Sequence, residues 1–107
     1  MDIARLQSWA RDKFGAVIEP LPLDYGVARL LVQAGQLGEA VLHGQDIDKE
    51  ISDVVFVLLA LANRSGVDLD AALSRYLVER GPAEILDRIT RVNERAVSGE
   101  TAGPSAG

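Results

Sequence analysis

The chain has 107 residues, no cysteine and a formal net charge of −5, with 48% hydrophobic and 25% charged residues. That is the length of one ordinary domain and the composition of a soluble globular one. It excludes disulfides and thiolate chemistry, and the acidic balance with no basic cluster argues against nucleic-acid binding by phosphate neutralisation.

The chain opens Met-Asp-Ile-Ala-Arg-Leu, without the basic flank and apolar run of a signal peptide. Its longest apolar stretch, Val54 to Ala62, is too short to span a bilayer, so a cytoplasmic protein that engages no membrane is expected. Asp2 to Lys13 reads as a first helix, with Ile3, Leu6, Trp9 and Ala10 at helical spacing, Asp2 as N-cap and Gly15 as its end. "IEPLPLD" carries Pro20 and Pro22, which favour an extended connector.

A second helix is predicted from Leu23 to Gly44. Leu23, Val27, Leu30, Ala34, Leu37 and Val41 alternate steps of four and three and form one apolar stripe. Gly35 and Gly38 weaken this helix intrinsically and suggest close packing against a neighbour. A third helix follows from about Asp46 to Ser65, carried by Ile47, Ile51, Val54, Leu58 and Leu61. Within it "VVFVLLALA" is apolar all round, as in a helix buried on most sides.

Gly66 suits a C-terminal stop, and Asp68 a cap for a fourth helix, Leu69 to Arg80. Gly81-Pro82 breaks the pattern. Pro82 then starts a fifth helical segment reaching about Val97, with Ile85, Leu86, Ile89 and Val92 as its apolar positions. "SGETAGPSAG" is small, polar and patternless, the composition of a mobile tail. The expectation is an all-α antiparallel helical bundle in one domain, 1–97, followed by a tail, 98–107. With so apolar a third helix and so short a chain, oligomerisation is expected.

Glu50 and Asp53 lie three apart, and Asp46 four before Glu50, so three acids share one helical row. Clustered carboxylates suit a hard cation such as Mg²⁺ or Mn²⁺. The plainer reading makes Asp46 a cap, Glu50 solvated and Asp53 paired with a Lys or Arg. On the preceding helix Gln33 and Gln36 repeat the spacing with amides, which offer a carbonyl oxygen but no charge. Arg29 adds a positive charge four residues before Gln33, and Glu39 lies one turn beyond Gln36 as a substitute ligand. The two amides also suit hydrogen bonding in a helix interface. His43, the single histidine, sits in the last turn of its helix, where capping explains it better than catalysis.

The stretch from Leu30 to Leu73 resembles the MazG-type all-α nucleoside triphosphate pyrophosphohydrolases. That family carries Glu-x-x-Glu on one helix and Glu-x-x-Asp on the next. "AGQLGEAV" is similar to the first of these segments, and "EISDVVFVLLALANRSGVDLDAAL" more closely to the second, with 13 residues between Gln36 and Glu50. The resemblance implies a helical bundle built as a homodimer or homotetramer. It also implies Mg²⁺ held by four carboxylates, and hydrolysis of a nucleoside triphosphate to a monophosphate and pyrophosphate by a metal-activated water.

Carried onto this chain, the metal set is Glu50, Asp53, Gln33 and Gln36 with Glu39, and the catalytic pair is Glu50 and Asp53. Asn63, Asp68, Asn93 and Arg95 become candidates for substrate contact, although Asn63 and Asp68 also read as the end and the cap of helices. Both acids of the first pair are amides here, so two of the four expected carboxylates are missing. Losing one preorganised electrostatic group typically costs about 10²–10³ in rate, so activity is expected to be weak or lost. A non-catalytic nucleotide-binding or protein-interaction module is the alternative.

Overall fold

A computed structural model describes residues 1–99 and is all-helical over them: α1 (Ile3–Ile18), α2 (Leu23–Leu42), α3 (Asp48–Arg64), α4 (Leu69–Leu73), a π-helical segment (Ser74–Val78) and α5 (Pro82–Val97). Residues 100–107, most of the expected tail, lie outside the described residues. The chain falls into two compact units, Met1–Asp70 and Ala71–Gly107.

In the first unit α1 and α2 both pack on α3, which therefore holds the core: Leu59 and Ala62 of α3, Ala10 of α1 and Ala40 of α2 are buried. The Asp2 carboxylate caps α1 by accepting the Arg5 backbone N–H at 2.8 Å. Gly15 does not end α1. The helix runs one turn further to Ile18, because Gly15 is buried in the packed face and keeps helical backbone geometry despite its intrinsic cost. Edge-to-face ring contacts join Trp9 to Phe14 and Phe14 to Phe56, tying α1 to α3.

Both long interhelical turns close in the same way. After α2, the N–H of Gln45 bonds to Ala40 O and that of Gly44 to Val41 O; after α3, Val67 bonds to Ala62 O and Gly66 to Asn63 O. This paired return geometry needs a left-handed residue, and glycine supplies it at Gly44 (φ +65°) and Gly66 (φ +69°). At the front of α3, the Asp46 carboxylate accepts the N–H of Asp48 from the turn before the helix, which begins two residues later than expected with Ile47 at its N-cap position.

The stripe expected on α2 is only partly its buried face. Leu30 and Leu37 are half-buried, but Leu23, Val27 and Val41 are exposed, and the buried residues are Gln33 and Ala40. The close approach is at Gly26, where an added Cβ would lie 2.6 Å from Leu61 Cδ2. Gly35 and Gly38, expected to give close packing, face open space. Strict four-three spacing marks an apolar face; it does not say which neighbour covers it.

In the second unit α5 packs on the π-helical segment. The expected helix Leu69 to Arg80 leaves α geometry after Leu73 and takes one wide π turn to Val78. Pro82 opens α5 directly after Gly81 (φ +96°). Its apolar positions Leu86, Ile89 and Val92 are exposed.

Candidate functional site

A cavity of about 330 Å³ opens in the first unit between the α1–α2 connector, α2 and α3. That volume is at the lower end of the ~300–1,000 Å³ of small-molecule pockets. From α2 come Tyr25, Arg29 and Gln33, one residue per turn along one row, with Gly26 beside them; from α3 come Asp53, Phe56, Val57 and Leu61. Gly26 keeps the upper part of this gap free, since any side chain there would press on Leu61.

One end is closed by Arg64. Its guanidinium donates to the backbone carbonyls of Glu19 and Leu21, pinning the connector to the last turn of α3. Pro20 and Pro22 keep this connector out of a continuous helix, so its carbonyls are free of intrahelical bonds.

Of the polar residues singled out in the sequence, Arg29, Gln33 and Asp53 share this cavity. Gln33 is 8% exposed, and its Oε1 is buried with no hydrogen-bond partner. Gln36, one turn on, is exposed, as is Glu39. Both lie outside the walls of the cavity. The two amides thus diverge: α2 rolls so that the row of Gly26, Gln33 and Ala40 meets α3.

Glu50 and Asp53 are partly buried, and Lys49 serves both. Its Nζ stands 2.8 Å from Asp53 Oδ2 and 3.9 Å from Glu50 Oε1. The hydrogen bond to Asp53, then the charges of Asp53 and Glu50, raise the Lys49 pKa above its ordinary value. The Oε2 of Glu50 is a second buried acceptor without a partner.

This donor set does not fit Mg²⁺ or Mn²⁺ as the four-carboxylate scheme requires. Among the described residues no three His, Cys, Asp or Glu side chains gather closely enough to hold a metal ion. Lys49 already supplies a positive charge to both acids. Hard cations need a nearly complete oxygen shell, and Gln33 brings a neutral oxygen where the scheme has a charged one.

The other candidates have structural partners or lie elsewhere. Asn63 donates through Nδ2 to Gln7 O at 3.1 Å and accepts from Arg11 Nη2 at 3.1 Å, so it ties α3 to α1. Asp68 precedes α4, in the bend after Gly66. Asn93 and Arg95 are exposed on α5, in the second unit. His43 is the residue that closes α2, its N–H bonded to Glu39 O at 3.0 Å.

Two contributions were not read from the sequence. Gln7 is buried. Its Nε2 donates to Val67 O at 2.7 Å, and its Oε1 accepts from Leu69 N at 3.0 Å. Its signal was a polar residue set among Ile3, Leu6 and Ala10 on the apolar face. Arg64, Tyr25 and Phe56 of the cavity carried no local signal, because the α1–α2 connector brings them together. No protein-family model, curated protein or solved structure matches the chain.

Proposed function

We propose that the chain is a MazG-like nucleotide-binding module, an antiparallel helical bundle in which pyrophosphohydrolase chemistry is weak or lost. One observation carries this reading. Gln33 and Asp53, which stand at the positions of the two acidic pairs in the resemblance, line one ligand-sized cavity with aromatic and basic neighbours. An apolar cavity with a few convergent polar groups is the usual form of a small-molecule site. The loss of chemistry follows from the donor set, since a water activated by metal needs the metal held.

The proposal includes a homo-oligomer. Among the described residues Ala10, Ala40, Leu59 and Ala62 are the buried apolar side chains, all but one of them alanine, while Val27, Leu31 and Val41 leave an apolar stripe of α2 open to solvent. A second copy laying the same stripe against it would supply the missing core. Sedimentation across a hundredfold concentration range should show a dimer or tetramer that dissociates on dilution; a monomer throughout overturns this part.

The functional test is calorimetric titration with nucleoside triphosphates in Mg²⁺ buffer, alongside a pyrophosphate-release assay. Saturable binding with little or no release supports the proposal. Rapid release contradicts the lost chemistry, and a folded protein that binds no nucleotide contradicts the whole reading.

A further inference from the structure

We infer that the α2–α3 cavity recognises its ligand without a divalent cation, with Arg29 in the place of the metal as the charge partner of a phosphate. The inference rests on the nucleotide reading above and changes what holds the ligand.

The first ground is the charge balance of the cavity walls. Asp53 is the one carboxylate among them, and Lys49 forms an ion pair with it at 2.8 Å. Arg64 points its guanidinium at two neutral carbonyls, which orient it without cancelling its charge. The side chain of Arg29, a partly buried residue, takes part in no ion pair or hydrogen bond among the described residues. The cavity is therefore positive in a chain of net charge −5. A partly buried guanidinium without a carboxylate is the residue type best suited to phosphate, which it meets through two parallel N–H donors.

The second ground is Gln33. It lines the same cavity one turn from Arg29, and with its Oε1 buried the amide Nε2 is the polar atom it offers a ligand. A ligand that brings an acceptor oxygen there gains a hydrogen bond beside the charge of Arg29. Inorganic phosphate offers its charge but no planar body. A nucleoside phosphate offers the phosphate for Arg29, an acceptor oxygen for the Gln33 amide, and a flat base for Tyr25 and Phe56. Arg29 and Gln33, four apart on α2, thus form a pair that reads charge and acceptor together.

The experiment titrates the whole chain with nucleoside monophosphates, nucleoside triphosphates and inorganic phosphate, each in EDTA and in Mg²⁺, with Arg29→Gln and Arg29→Lys alongside. Affinity for the best nucleotide should be the same within about threefold in the two buffers. Arg29→Gln should weaken it by at least about tenfold, the lower range for a charged hydrogen bond, with the melting temperature unchanged. Arg29→Lys keeps the charge but loses the fork, so its loss should be smaller. Binding that needs Mg²⁺ overturns the inference and leaves the nucleotide reading standing. Binding in EDTA that survives Arg29→Gln overturns the role of Arg29, and inorganic phosphate binding as tightly as any nucleotide overturns the combined recognition. No binding of any nucleotide in either buffer removes the nucleotide reading, and the inference with it.

Discussion

Replacing Gln33 by methionine should make the protein more stable. Gln33 is 8% exposed, and its Oε1 is buried with no donor. An unsatisfied buried acceptor carries a desolvation penalty of roughly 1–3 kcal/mol. Methionine has nearly the same length and helix propensity and fills irregular space with a thioether that needs no hydrogen bond. The expected gain for Gln33→Met is about 1–2 kcal/mol, which for a unit of this size raises the melting temperature by roughly 4–15 °C. Thermal melting followed by far-ultraviolet circular dichroism, in EDTA, without ligand and at one protein concentration, measures it. An unchanged or lower melting temperature would refute the reasoning, because it would mean that Oε1 has a donor in the folded protein.

Gln33→Glu provides the opposite sign. A carboxylate there would be 8% exposed like the amide it replaces, so burial should raise its pKa against the attraction of Arg29 one turn away, and the variant should be destabilised at neutral pH. The penalty is full above that raised pKa and gone below the ordinary glutamate range near ~4.3. If the loss of stability persists unchanged to pH 3, charge burial is not its cause.

Gln7→Ala removes a donor to Val67 O and an acceptor for Leu69 N, and should cost about 2 kcal/mol and speed amide exchange at Leu69; a slow Leu69 amide in the variant would contradict the clamp. Gly66→Ala forces a side chain into the left-handed region at φ +69° and should cost about 1–2 kcal/mol in urea unfolding, without changing the slope. Lys49 has its pKa raised above 10.5, first by the hydrogen bond to Asp53 and then by the charges of Asp53 and Glu50. A raised folded value means that this contribution is complete below 10.5 and fades as pH climbs through the folded pKa. The side chain is exposed, so the effect on stability is small; the decisive measurement is the titration midpoint of the Lys49 amine by NMR, and an unshifted midpoint would contradict the contact.

The sequence by itself determined the helices and several of their ends, although α1 runs past Gly15 to Ile18 and the helix after Asp68 leaves α geometry at Leu73. Asp2, Asp46, Gly44, Gly66 and Pro82 act through their own backbone and nearest neighbours, so their roles could be read locally. The resemblance, rather than spacing alone, set Gln33 and Asp53 in one proposed site, and in the structure both line one cavity. Only the tertiary structure decided which side of α2 is inside. Val27 and Val41 of the expected stripe face outward while Leu30 and Leu37 are half-buried, and the row of Gly26, Gln33 and Ala40 faces α3, because Gly26 admits Leu61 at a distance no larger residue allows. That roll separates Gln36 and Glu39 from Gln33 and brings Arg29 into the cavity wall instead. Helical period fixes which residues share a face; which face finds a partner depends on the shape of the neighbouring helix, and that is a property of the fold.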